Sequence, residues 1–140
     1  MEFQELNLLF KCSKVFTHKK KFSCNLSDTE CMICSYVYYH DSCSQDDVSR
    51  GLRIDKTTVA KAVATLENKG YLLRHQSDTD KRCKILQITD KGVKDCTRIF
   101  DMHNKWLDDI MSVLTPEEKQ SFEICCQKLI ANTEKYFDDN

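Results

Sequence analysis

Turn-forming residues are scarce: the 140-residue chain holds three glycines and one proline. A β-sandwich or a loop-rich fold needs more of both, so their scarcity predicts a mainly helical domain. Long apolar runs are also missing, and no stretch nears the roughly 18 residues of a membrane span. The opening residues, MEFQELNLLFKCSKVF, lack a basic start followed by an apolar core. No secretory signal is read there, and a cytoplasmic location without membrane contact is expected. Neither sign of charge dominates: 21 Lys and Arg face 22 Asp and Glu. Any affinity for a polyanion must therefore come from a local basic patch. Glycine-rich phosphate loops, a nucleophile elbow and a recognisable carboxylate pair are missing too, so neither an enzyme nor a cofactor is expected. The length suits one domain with a full core.

Cysteine, by contrast, is plentiful. There are nine: Cys12, Cys24, Cys31, Cys34, Cys43, Cys83, Cys96, Cys125 and Cys126. The odd number, the irregular spacing and the missing secretory signal argue for reduced thiols, many of them small core residues. Cys31 and Cys34 stand one helical turn apart with Cys24 just upstream. No second pair follows at matching spacing, so no metal site is expected.

Charge is uneven along the chain. Residues 44–92 carry ten basic and seven acidic side chains, whereas residues 93–140 carry six and ten. The basic middle suits an anionic partner, although a scatter of solvated charges is the other reading.

Helix signals are frequent. Leu6, Leu9, Phe10 and Phe16 form an apolar stripe over about residues 2–18, and Lys19, Lys20 and Lys21 read as a connector. Ser27 and Glu30 form a capping box for a helix to about His40, with Met32, Ile33, Tyr36 and Val37 as core candidates. Ser44 caps a short helix whose buried face holds Val48 and Leu52. Asp55 caps another, with Val59, Ala62, Val63 and Leu66 on one face and Gly70 as its stop. The period then changes. Residues 71–74 and 83–89 read as two strands joined by a polar tip. A long helix follows from Thr89 to about Leu114. Thr115, Pro116 and Glu118 restart the last helix, again through a capping box.

The two capped helices are separated by the tight turn Gly51-Leu-Arg-Ile54, which is helix-turn-helix spacing. The face of the second helix opposite its apolar stripe carries Lys56, Thr57, Ala60, Lys61, Ala64 and Asn68. These residues are small or positive, as a helix entering a major groove must be. The hairpin after it continues the basic theme with Lys81, Arg82 and Lys84. Asp80, two residues before Arg82, is placed to hold that guanidinium extended toward a minor groove. A winged-helix module that binds protein rather than DNA is the alternative reading.

The ordered set resembles the MarR family of winged-helix regulators over about residues 26–92. The resemblance rests on Ser44-Gln-Asp-Asp-Val-Ser-Arg-Gly-Leu-Arg-Ile-Asp-Lys-Thr-Thr-Val59, Leu66-Glu-Asn-Lys-Gly-Tyr-Leu72, Asp80-Lys-Arg82 and Ile88-Thr-Asp-Lys-Gly92. It implies one domain, with residues 26–92 as the DNA-binding part and residues 1–25 and 93–140 as dimerisation helices. It also implies a homodimeric regulator, expected to repress, on a pseudo-palindromic double-stranded operator. On this resemblance the DNA contacts fall to Ser44, Gln45, Lys56, Thr57, Thr58, Ala60, Lys61 and Arg82, to which the basic hairpin tip adds Lys81 and Lys84. Two departures stand out. Arg53 replaces a glycine common in the turn, which predicts locally altered geometry. Gly51 sits inside a helix, at a cost of roughly 1 kcal/mol relative to alanine.

Relatives in this family often respond to small ligands or oxidants. A small-molecule effector is thus expected at Phe16, Tyr36, Tyr39, His40 and His103, for which ordinary core packing is the other reading. A redox role falls to Cys12, Cys31 and Cys34, with packing as its alternative.

Overall fold

A computed structural model describes the backbone of residues 3–21 and 25–138 and the side chains of 4–16 and 25–138. Cys24 lies outside the described residues. The elements are α1 (Phe3–Lys21), α2 (Asp28–Tyr39), α3 (Gln45–Leu52), α4 (Lys56–Asn68), β1 (Leu72–Gln76), β2 (Lys84–Ile88), α5 (Asp90–Ile110), a 3-10 turn (Met111–Val113) and α6 (Pro116–Asp138). This is the mainly helical fold with one β-hairpin that the sequence predicts. The chain divides into two units, Met1–Asp101 and Met102–Asn140, so the division falls inside α5.

The caps read from sequence are made. Ser27 Oγ accepts from the Glu30 amide, while Glu30 accepts from the Ser27 amide at 3.0 Å. Thr115 and Glu118 exchange the same pair of bonds at the start of α6. Each box satisfies two amides that a helix start leaves unpaired. Asp55 caps α4 through the Thr58 amide at 2.8 Å.

The core of the first unit lies between α2, α3, α4, the hairpin and the start of α5. Ile33, Val37, Val48, Val59, Val63, Leu66, Leu72 and Leu86 are fully buried. All four apolar positions read on α4 face inward. On α2 the buried stripe is Ile33, Cys34 and Val37; Met32 is exposed and Tyr36 half-buried. Cys34 thus takes the place expected of Met32, because Val37 lies three residues after Cys34 and four after Ile33 and so shares a face with both. The lysines at 19–21 do not break α1. Lysine is a good helix former, and a run of them ends an apolar stripe without ending the helix. Further along, α5 stops at Ile110 rather than Leu114, where the backbone tightens into the 3-10 turn.

The strands pair antiparallel, Leu72 opposite Ile88 and Gln76 opposite Lys84. β1 begins one residue later than the sequence suggests and runs two residues further. The segment before α3 joins this sheet: Ser44 bridges Ile85, and the Leu86 amide donates to Cys43 O at 2.8 Å. This contact ties the wing to the first helix of the helix-turn-helix. A single bridge leaves no period in the sequence, which is why periodicity does not reveal it.

Candidate nucleic-acid interface

The turn between α3 and α4 is built around Arg53. Its backbone is left-handed, with φ 53° and ψ 41°, the conformation glycine adopts at least expense. Arg53 thus takes in this turn a conformation that a glycine would adopt more readily. Ser49 O accepts the amides of Arg53 and Ile54, and the Ser49 hydroxyl donates to Ile54 O at 2.6 Å. Gly51 has a packing reason as well. A Cβ there would lie 2.6 Å from the Tyr36 hydroxyl, so the α2 ring rests against bare α3 backbone.

α4 presents Lys56, Thr57 and Lys61 exposed and Ala60 half-buried. Two of the residues assigned to DNA contact are already engaged. The Thr58 hydroxyl donates to Asp55 Oδ2 at 2.6 Å, so it serves the cap. Lys56 Nζ lies 3.1 Å from Asp46 Oδ1, with both side chains largely exposed. Such a pair contributes little and exchanges readily for a phosphate.

Ser44 departs further from expectation. It is 7% exposed and its hydroxyl accepts the Asp47 amide, while Asp47 accepts the Ser44 amide. Its side chain completes a cap under the surface and is not free for a phosphate. Asp47 also accepts from Arg50 at 2.8 Å. The bonds from the Ser44 backbone and side chain hold the Asp47 carboxyl below its ordinary range. Those from the Thr58 hydroxyl and amide do the same for Asp55. Gln45 is half-buried and takes a long 3.4 Å bond from Arg74, whose guanidinium also pairs with Glu67 at 3.0 Å. Sequence reading missed Arg74, which links α3, α4 and β1; only its place in a strand next to two polar helices could have flagged it.

At the hairpin tip Lys81, Arg82 and Lys84 are exposed. The expected Asp80–Arg82 ion pair is not formed. Asp80 Oδ1 instead accepts the Arg82 amide at 2.9 Å. A short acidic side chain reaches its own backbone two residues on more easily than it reaches a guanidinium. Asp80 thus shapes the tip, together with the Cys83 amide donating to Asp80 O and Gln76 Nε2 donating to Lys81 O at 2.6 Å.

The residues expected to bind an effector are only partly brought together. Tyr36 and His40 stack with centroids 4.1 Å apart and planes 13° apart. They line an open cleft of about 470 Å³ with Asp41, Cys43, Asp47 and Arg50. Burial, with Asp47 adding to it, pushes the Cys43 thiol up to about 11. Tyr39 is not in this cleft; it packs on Tyr38 and Phe100. Phe16 is half-buried on α1 and does not line the cleft, and His103 belongs to the second unit. Of the cysteines assigned a redox role, Cys12 is exposed, Cys31 half-buried and Cys34 buried. Among the described residues no three His, Cys, Asp or Glu side chains are grouped to hold a metal ion. Among them, too, no helix is long and apolar enough to cross a membrane.

Two short helices at helix-turn-helix spacing, followed directly by a hairpin, define a winged helix. The MarR family model matches residues 26–84. The HTH-type transcriptional regulator MhqR of Bacillus subtilis is 30% identical over 104 residues, 74% of this chain and 70% of that protein. The HTH-type transcriptional regulator BilQ of Clostridium symbiosum is 32% identical over 94 residues, which is 67% of this chain and 65% of that protein. The chain thus covers slightly under two thirds of the BilQ relative. A solved MarR transcriptional regulator from Methanosarcina mazei shares the fold with a TM-score of 0.84 at 21% identity, over 94% of this chain and 95% of that one. The chain belongs to the MarR family.

Proposed function

We propose that the protein is a homodimeric, DNA-binding transcriptional repressor acting on a pseudo-palindromic operator. The observation that carries this reading is the exposed face of α4, with Lys56, Thr57 and Lys61 beside a hairpin tip bearing Lys81, Arg82 and Lys84. Asp55 and Asp46 are spent on a cap and an exposed pair, so the face is open to phosphate. α4 enters a major groove and Arg82 reaches the flanking minor groove, each subunit reading one half-site. Lys61 and Lys81 contact phosphate and set the salt dependence.

The second subunit is the natural occupant of the apolar surface at both ends of the chain. α1 exposes Leu8, Leu9 and Phe10; α6 exposes Leu129, Ile130 and Tyr136. That much exposed apolar surface is unusual for a monomer. The Tyr36–His40 cleft is the site proposed for a small effector. It touches α3 through Arg50 and Gly51, so an occupant bears directly on the helix-turn-helix.

Selection of genomic duplex fragments by the purified protein tests the reading. Enrichment of one palindromic motif, with log affinity falling linearly against log salt, is the expected result. Failure to retain any duplex at moderate salt transfers the module to protein binding.

A further inference from the structure

Cys34 of α2 and Cys96 of α5 meet in the core of the first unit. Their sulfurs are 3.5 Å apart and the residues are 1% and 4% exposed. Sixty-two positions of chain separate them, so neither their meeting nor its effect is visible in local sequence. Cys31 lies one turn before Cys34 on the same helix, is half-buried, and packs against the same cluster. Cys31 is thus the partly open thiol beside a buried Cys34–Cys96 pair. Cys31 and Cys34 also form a Cys-Met-Ile-Cys sequence in the first two turns of a capped helix.

We propose that this trio is an oxidation site at which a hydroperoxide, entering at Cys31, leaves an intrachain disulfide between Cys34 and Cys96. The Cys31 thiolate attacks the outer oxygen of the hydroperoxide, the O–O bond breaks and an alcohol (water, for hydrogen peroxide) departs. Cys31 is then a sulfenic acid. Cys34 attacks that sulfur, water leaves, and Cys31 and Cys34 are joined. Cys96 then attacks the Cys34 sulfur, and Cys31 departs as a thiol. In sum one hydroperoxide is reduced to an alcohol and water, and two thiols become one disulfide. The last step follows from the geometry of the pair: the Cys96 sulfur already lies 3.5 Å from that of Cys34, within reach for attack. The product ties the start of α5 to α2.

This inference does not depend on DNA binding, because its test reads thiols. Full-length reduced protein is treated with equimolar hydrogen peroxide, quenched with an alkylating agent in denaturant, and mapped without reductant. The expected result is the loss of two alkylatable thiols and a peptide pair joined through Cys34 and Cys96, with a raised Tm that returns on adding dithiothreitol. A disulfide between any other pair, or Cys34 and Cys96 both still alkylated once peroxide is consumed, overturns the proposal. Cys31→Ser keeps the pair and slows its oxidation; an unchanged rate removes Cys31 as the entry. Cys96→Ala stops the sequence at a Cys31–Cys34 disulfide. If that variant does not fold, the map of the native chain and the Cys31→Ser rate decide alone.

Discussion

At the scale of single residues, three positions carry more than their type suggests. Arg53 holds a left-handed backbone that L-residues adopt at a cost of roughly 1–2 kcal/mol. Arg53→Gly should therefore raise Tm, with unfolding stability up by roughly 1 kcal/mol. A fall would mean that the Arg53 side chain contributes more than its backbone loses. Gly51→Ala improves helix propensity but drives a methyl into the Tyr36 ring. Tm is expected to fall, and a rise of the size that propensity alone supplies would refute the contact. Ser44→Ala removes a buried cap and should lower stability by about 1 kcal/mol. A Ser44 that served only DNA would leave Tm unchanged. The Asp47 and Asp55 carboxyls titrate below their ordinary values in the fold. The unfolded chain thus binds more protons than the folded one as pH drops toward and below about 4. Stability from these caps is fully present above the ordinary carboxylate range and is lost as pH falls through their lowered values. Denaturant midpoints at pH 7 and pH 3.5 check this, the midpoint at pH 3.5 being the lower.

Among the elements, the proposed function divides the labour of binding between the wing and α4. Arg82→Ala at the exposed tip should weaken duplex affinity by about 1–3 kcal/mol and leave Tm in place, since among the described residues Arg82 bonds to the fold through its backbone amide, which alanine keeps. Unaltered affinity in a gel-shift titration would remove the wing from the interface. Lys61→Ala on α4 should reduce the slope of log affinity against log salt by about 1, checked by titration at four salt concentrations. An equal slope would mean that Lys61 meets no phosphate. The wing's own position depends on elements other than the hairpin. Cys43 and Ser44 bond to β2, and Lys69 at the end of α4 donates to Glu30 of the α2 capping box at 2.8 Å. These cross-links fix the hairpin and α4 to one frame.

For the whole molecule, the question is what covers α1 and α6. Ile130→Glu on the exposed face of α6 places a charge where a second copy is proposed to pack. Sedimentation should shift from dimer to monomer, and operator affinity should drop because two half-sites are no longer read together. A dimer that survives the substitution would move the interface away from this stretch of α6.

The sequence by itself determined the order of elements, the caps at Ser27, Asp55 and Thr115, and the inward face of α4. Those depend on neighbours within four residues, where spacing and side-chain chemistry suffice. Family membership was legible for the same reason, because its motifs are short and ordered. Several features needed the tertiary structure. The burial of Ser44, the Tyr36 ring over Gly51 and the meeting of Cys34 with Cys96 each depend on groups whose proximity no local period encodes. Packing decides them, since a buried polar or sulfur atom takes whichever partner the surrounding helices bring within reach.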